Sequence, residues 1–123
     1  MTSQEIRTLT DQYMMHTYGR FEVVLDHGEG AALWDVNGKK YIDMNSGIGV
    51  SCLGHNNEAL ISAIGDQAKK LIHVSNLYYT EPMTEAAELL IKAAGMGRVF
   101  FANSGAEANE GAIKLARKYA HDK

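Results

Sequence analysis

Several features that are typical of other protein classes are scarce or missing in this sequence. Cys52 is its only cysteine, so no disulfide can form within the chain, and a reducing compartment such as the cytoplasm fits this usage. The 12 Lys and Arg residues are outnumbered by 15 Asp and Glu residues and form no basic stripe, which argues against a nucleic-acid partner. No apolar run is long enough to span a bilayer, and the N-terminus lacks the pattern of a signal peptide. We therefore expect a cytoplasmic protein that binds neither nucleic acid nor membrane.

The first fifty residues predict a helical arm followed by a small antiparallel sheet. Apolar residues recur at helical spacing from residue 3 to about residue 17. Gly28 and Gly30 are expected to separate the first strand from the second. Asn37-Gly38, between "ALWDV" and "KKYIDM", predicts a two-residue hairpin with positive φ. The pattern indicates a small antiparallel meander.

The stretch "NSGIGVSCLGH" that follows is rich in glycine and other small residues. It lacks the third glycine of a dinucleotide-binding fingerprint, so we interpret it as a loop that other groups can approach closely. Cys52 lies in this apolar-small run and is expected to be a buried packing thiol rather than a nucleophile. His55 and Glu58 have the spacing of a metal pair, but no further ligands cluster nearby, so we expect a hydrogen-bonded structural histidine and no metal site.

The second half of the chain predicts three helices and one strand. The helices cover about 57–72, the segment from Pro82 to Gly95 and about 105–121, and the last two have an apolar face that we expect to be buried. The strand, Val99 to Ala102, is apolar on both faces, as in a parallel sheet covered by helices. Parallel sheets need several strand–helix units, and only one is convincing here. We therefore expect the chain to be the front part of something longer, or to need a partner chain.

The junction between this strand and the last helix is a candidate anion site. The first amides of a helix lack internal partners and carry partial positive charge, and small residues would let a phosphate approach the amides of Gly105 and Ala106. Ser104 adds a hydroxyl, whereas Glu107 would have to point away or be neutralised by a cation. The alternative is that Asn103 or Ser104 merely caps the helix and that the small residues serve helix–sheet packing. The sequence is not a Walker loop, because the Gly-Lys-Ser/Thr end is absent.

At "FFANSGAEANEGAIKLARKYA" the sequence resembles the phosphate-binding segment of class III aminotransferases, which use pyridoxal phosphate. The resemblance extends through "TYGR", "GEGAALWDVNGKKYIDMNSGIGVSCLGHNNEAL" and "LIHVSNLYYTEP", in family order and spacing, and is greatest to acetylornithine aminotransferases of arginine biosynthesis. It implies an α/β fold, the N-terminal part of a fold type I pyridoxal-phosphate-dependent transferase. Residues 1–50 would form the arm and meander, and residues 51–123 would begin the large parallel-sheet domain that binds the cofactor.

The same resemblance assigns candidate site residues. Ser104, Gly105 and Ala106 match the segment that binds the cofactor phosphate. Tyr18 matches a tyrosine near the substrate, and Ile48 stands where ornithine-specific relatives carry a tyrosine that reads a free amine. An apolar side chain at position 48 favours an acylated amine, because a buried amino group left unpaired is costly. Asn76 is expected near the cofactor, substrate or dimer interface, with a packing role as the open alternative.

The resemblance also implies what the chain lacks. The family's Schiff-base lysine, the aspartate that pairs with the pyridinium nitrogen and the arginine that binds the substrate carboxylate all follow later than residue 123. We therefore expect no catalytic residue here and no transamination by this chain alone, although the full-length protein would be a homodimeric enzyme acting on an amino acid and a 2-oxo acid. Ornithine, succinylornithine and 4-aminobutyrate are alternative donors, and a noncatalytic interaction module is the alternative from another class.

Overall fold

The computed structural model describes residues 1–122, which fall into two compact units. The first unit is Met1–Ile72 and the second begins at His73. No helix in the described part of the chain combines the length and the apolar character that crossing a membrane requires. The predicted division near residue 50, between an arm-and-meander segment and a cofactor-binding domain, stays a prediction.

The first unit opens with the predicted helical arm, α1 (Ser3–Tyr13). Its start is fixed by a reciprocal cap, in which Thr2 Oγ1 accepts from the Glu5 amide at 3.2 Å and the Glu5 carboxylate accepts from the Thr2 amide at 2.7 Å. The helix ends earlier than residue 17, because Met14 takes an extended conformation with φ −105° and ψ 141°. The arm is therefore confirmed, in a shorter form than predicted.

The predicted meander is confirmed as a three-stranded antiparallel sheet in the order β1-β2-β3. Its strands are β1 (Leu25–Glu29), β2 (Ala32–Asp35) and β3 (Lys40–Ile42). The prediction that Gly28 separates two strands is wrong, because Gly28 lies within β1 opposite Leu33. A Cβ at position 28 would come within 2.6 Å of the His55 Cγ atom. This glycine therefore allows His55 to pack tightly on the sheet, whereas Gly30 follows the strand with φ +54°.

The hairpin between β2 and β3 is confirmed in position, but its turn type differs from the prediction. Only Gly38 has positive φ, +82°, and its amide donates to the Asp35 carbonyl at 2.9 Å. Asp35 Oδ1 accepts from the amides of Asn37 and Lys39, both at 2.9 Å, and its Oδ2 accepts from the Tyr41 hydroxyl at 2.8 Å. The Lys39 amide lowers the pKa of Asp35 against an opposing effect of burial, and the Asp35 carboxylate raises the pKa of Tyr41. Asp35 thus organises the turn by itself.

Gly38→Ala is expected to lower the free energy of unfolding by about 1–2 kcal/mol, because a Cβ is strained in the left-handed region. No atom lies within 4 Å of a Cβ built at this position, so the loss would come from the backbone alone. Gly97→Ala is the matched control, since its Cβ also meets open space and its φ is not positive. Urea denaturation of the two variants checks this, and an equal midpoint shift for both would contradict it.

The remaining helices lie close to their predicted positions. Asn57 caps α3 (Glu58–Lys70) by accepting from the Leu60 amide at 3.0 Å. The Asn57 side chain thereby satisfies one of the free amides at the start of the helix. Gly95 ends α4 (Glu81–Ala94) with φ +65°, and Ser104 caps α5 (Gly105–His121). A short helical turn, α2 (Ser46–Gly49), precedes these three helices in the chain.

The predicted burial of the helix faces is wrong for the described residues. Asp35 is the only buried side chain among them, and Leu90 and Ile113, which were expected on the buried faces of the last two helices, are 48% and 60% exposed. Among the described residues of either unit, no helix packs against another helix or strand that would cover its apolar face. Cys52 is likewise exposed rather than buried, for the same reason.

Residues 99–102 form no strand, contrary to the prediction. A strand is defined by hydrogen bonds to a neighbouring strand, and the second unit contains no other strand in its described part. The segment still packs on α5, because a Cβ at Gly111 would lie 3.0 Å from the Phe100 ring. The apolar run therefore has the composition of a buried strand without the sheet that would complete it.

Candidate functional site

The start of α5 combines a side-chain cap with two open amides. Ser104 is extended, with φ −154° and ψ 161°, and its Oγ accepts from the Glu107 amide at 3.2 Å. The Glu107 carboxylate turns back and accepts from the Asn103 amide at 2.8 Å. The carboxylate is therefore bonded ahead of the helix, so that it does not occupy the amides of the first turn.

The amides of Gly105 and Ala106 have no hydrogen-bond partner among residues 1–122. They sit at the positive end of the helix dipole, and residues 101–110 are all exposed. No atom lies within 4 Å of a Cβ built at Gly105, so an anion has room to approach. These residues fit a phosphate group, which takes hydrogen bonds from helix N-terminal amides. The cap predicted as the alternative is also present, because Ser104 both caps the helix and leaves the two amides open.

Ile48 lies on a turn with an unusual backbone, α2 (Ser46–Gly49). Gly47 and Ile48 are left-handed within it, with φ/ψ of 59°/37° and 62°/47°, and Ser46 and Gly49 also have positive φ. A β-branched residue rarely adopts this region, which costs roughly 1–2 kcal/mol for a residue with a Cβ. The Ile48 side chain is 88% exposed. The loop predicted over this stretch is thus a strained turn that holds an apolar side chain outward.

Asp43 holds this turn at its start. Its Oδ1 accepts from the amides of Asn45 at 3.0 Å and Ser46 at 2.8 Å, and its Oδ2 lies 2.7 Å from His55 Nε2. The bond from His55 is the main cause that lowers the pKa of Asp43, and the Ser46 and Asn45 amides add to it. The prediction that His55 is a hydrogen-bonded structural histidine is confirmed by this contact. No group of three possible metal ligands occurs in the part of the chain that the structure describes.

Asp43 was missed by sequence reasoning, although a signal for it exists. An aspartate two residues before "NSG" is the pattern of a side chain that bonds backbone amides ahead of it in a turn. Its pairing with His55 spans a loop, and only the folded structure brings the two together.

Tyr18 and Asn76, the other predicted substrate residues, lie in irregular segments. Tyr18 lines an open groove of about 540 Å³ along α1, together with Arg7 and Arg20. Arg7 is paired with Glu22 at 2.7 Å on the same groove. Asn76 is exposed and follows Ser75, whose φ is +62° and whose hydroxyl accepts from the Leu77 amide at 3.3 Å. Their roles toward a substrate stay predictions.

Comparison with known proteins gives a consistent family match. The family model described as aminotransferase class-III matches residues 13–123. Acetylornithine aminotransferase of Haemophilus ducreyi is 53% identical over 123 residues, which are 100% of this chain and 31% of that protein. The enzyme of the same name from Wolinella succinogenes is 61% identical over 112 residues, or 90% of this chain and 28% of that protein. The chain thus spans about a third of the length of the curated relatives that it matches.

Solved structures share the same fold. Acetylornithine aminotransferase from Elizabethkingia anophelis superposes with a TM-score of 0.93 at 37% identity, covering 99% of this chain and 32% of that chain. Plasmodium falciparum ornithine delta-aminotransferase superposes with a TM-score of 0.92 at 30% identity, with coverage of 99% and 32%. The predicted α/β fold, the N-terminal part of such transferases, is confirmed by these superpositions.

Proposed function

The chain belongs to the class-III aminotransferase family, and from this premise we propose that it is the N-terminal part of a pyridoxal-phosphate-dependent enzyme. The proposed reaction moves an amino group from N-acetylornithine to 2-oxoglutarate, a step of arginine biosynthesis. The observation that carries this is the identity of 53% and 61% to acetylornithine aminotransferases over 100% and 90% of the chain.

The chain's own part in this function is to hold the cofactor phosphate at the start of α5. Two amides without partners, those of Gly105 and Ala106, would each donate to a phosphate oxygen, and Ser104 adds a hydroxyl. When bound, the cofactor supplies an electron sink for the negative charge left on the amino donor after proton removal. The bond from Glu107 to the Asn103 amide, at 2.8 Å, keeps the acidic side chain off these donors.

None of the lysines on α5 is placed to hold the cofactor. Lys114 and Lys118 follow Gly105 by about 14 and 20 Å along the helix axis. They pair with Glu110 at 2.8 Å and with Asp122 at 3.0 Å, on the helix surface. The lysine that attaches the cofactor therefore belongs to another part of the protein in this proposal, and the 123-residue chain does not transaminate alone.

The proposed amino donor rests on Ile48. In the assembled site its apolar side chain would face an acyl group, whereas a free ammonium buried beside it would be left without a partner. Ornithine is the second candidate donor, because the structure of an ornithine delta-aminotransferase is superposable over 99% of the chain. Tyr18 and Asn76 are proposed to lie near the donor in the assembled site. A cytoplasmic homodimer is the proposed setting.

Steady-state assays of the full-length protein test the proposal. We expect turnover with N-acetylornithine and 2-oxoglutarate, with kcat/KM at least about 10-fold above that for ornithine, which is the size of one lost hydrogen bond to a charged group. A preference for ornithine or 4-aminobutyrate would overturn the assignment of the donor. Absence of transamination with any of these donors would overturn the enzymatic function itself.

A further inference from the structure

The turn that carries Ile48 is held by a series of contacts to which the proposed function assigns no role. Positive φ at Ser46 and Ile48, 49° and 62°, is a strained arrangement for residues with a Cβ. Such strain persists only where surrounding contacts impose it, and it concentrates at functional sites. Ile48 is 88% exposed, so burial of its own side chain does not impose the conformation in the described structure.

The turn is closed by the amides of Ile48 and Gly49, which donate to the Asn45 carbonyl at 2.9 and 3.2 Å, and its start is held by Asp43. Asp43 uses one carboxylate oxygen for the Asn45 and Ser46 amides, at 3.0 and 2.8 Å, and the other for His55 at 2.7 Å. Its side chain is only 10% exposed, and that of His55 is 26% exposed. The turn therefore begins at a carboxylate whose position is fixed from both sides.

His55 is in turn fixed to the end of β1. Its amide donates to the Gly30 carbonyl at 2.8 Å, and its carbonyl accepts from the Gly30 amide at 2.9 Å. Its side chain lies over Gly28, where a Cβ would come within 2.6 Å of the ring. The same close approach recurs at Gly54, where a Cβ would lie 3.1 Å from the Gly30 carbonyl oxygen. A series of contacts thus runs from the sheet through His55 and Asp43 to the start of the turn that carries Ile48.

We propose that Asp43, tethered by His55, is a positioning residue for selection of the amino donor, because it fixes Ile48 in the left-handed conformation that presents its side chain to an acylated amine. This inference rests on the proposed function. It adds that discrimination between acylated and free diamino acids depends on two residues that need not touch the donor. Without the carboxylate, the turn relaxes toward ordinary backbone angles and the Ile48 side chain changes direction.

The test uses the full-length protein and the ratio of kcat/KM for N-acetylornithine to that for ornithine. Asp43→Ala is expected to lower this ratio by roughly 5- to 30-fold, the population change that corresponds to relief of one left-handed residue. Asp43→Asn retains an oxygen for the Asn45 and Ser46 amides and is expected to rescue the ratio. Asp26→Ala is the matched control, because Asp26 makes a similar contact with His27, at 2.8 Å, on the exposed surface.

A loss that is merely structural would lower both kcat/KM values together and leave their ratio unchanged, which would overturn the inference. The crystal structure of Asp43→Ala gives a readout that does not depend on activity: φ of Ile48 is expected to become negative, and a retained positive φ would overturn the inference. If Asp43→Ala fails to fold, His55→Leu is measured instead, because it removes only the contact between His55 and Asp43. An unchanged ratio of kcat/KM for the two donors in His55→Leu would also overturn the inference.

The same ratio of kcat/KM values is measured for Ile48→Ala, which separates the positioning role of Asp43 from the proposed donor preference. If Ile48→Ala lowers the ratio and Asp43→Ala does not, the positioning role is overturned and the proposed donor assignment stands. If the wild-type protein shows no preference for the acylated donor, the assignment of the donor fails first, and the positioning role falls with it.

Discussion

Gly105→Asp is expected to raise the dissociation constant for pyridoxal phosphate by at least about 100-fold in the full-length protein, through charge repulsion and the loss of hydrogen bonds to a charged group. The fold should tolerate the change, because no atom lies within 4 Å of a Cβ at this position. An aspartate in the first turn also interacts favourably with the helix dipole, by about 0.3–1 kcal/mol. The free energy of unfolding of the cofactor-free protein would therefore rise slightly while the affinity for the cofactor falls. A misfolded variant would lose both.

Two further variants separate charge from size and from position. Gly105→Asn adds a side chain of the same shape without the charge, and the affinity for pyridoxal phosphate is expected to fall about 10-fold. Gly97→Asp places the same charge on another open glycine and should leave affinity unchanged. Absorbance titration of the cofactor-free protein measures all three constants. Equal affinities for the wild type and Gly105→Asp would refute the phosphate site.

Ile48→Tyr is expected to lower the preference for N-acetylornithine over ornithine by about 10- to 100-fold, within the range for pairing a previously unpaired polar group. The tyrosine hydroxyl would give the free amine a partner and would crowd the acyl group. The exposure of Ile48, 88%, indicates that the substitution does not disturb packing in the described structure. The substitution also removes a β-branched residue from a left-handed position, so the turn itself should be retained.

Ile48→Leu is the matched control for this prediction. It keeps an apolar side chain of similar volume and should preserve the preference, although it also removes the branch at Cβ. Competition between the two donors in one reaction gives the ratio directly. If Ile48→Tyr and Ile48→Leu show the same ratio as the wild type, residue 48 does not select the donor.

Features that depend on local sequence could be predicted well. The helix from Gly105 to His121 has the predicted bounds, because Ser104 is a strong cap and the apolar periodicity is regular. The meander was predicted because Asn37-Gly38 separates two alternating runs. The turn type was not predicted correctly, because the Asp35 side chain accepts hydrogen bonds from two backbone amides and so favours a turn in which only Gly38 has positive φ.

Features that depend on distant partners could not be predicted in the same way. Val99 to Ala102 has the composition of a buried strand but no neighbouring strand in its unit, and the apolar helix faces remain exposed. The chain spans 31% of the length of the Haemophilus ducreyi protein. The missing partners of the strand were themselves inferred from the sequence, because one strand–helix unit does not make a parallel sheet.

The candidate site shows the same division. Ser104, Gly105 and Ala106 were identified from the predicted order of a strand, a short break and a helix. In the structure they lie at the N-terminal end of α5. Asp43 was not identified, since its contact with His55 forms across the intervening loop. The strain at Ile48 was also invisible to sequence patterns, because isoleucine ordinarily avoids positive φ.

The central claim, that the amides of Gly105 and Ala106 hold the cofactor phosphate, is tested most directly by a crystal structure of the full-length protein with pyridoxal phosphate. We expect phosphate oxygens within about 2.7–3.2 Å of both amide nitrogens, the ordinary range for such hydrogen bonds. A cofactor whose phosphate is bound by other residues, with these two amides left to solvent, would contradict the account.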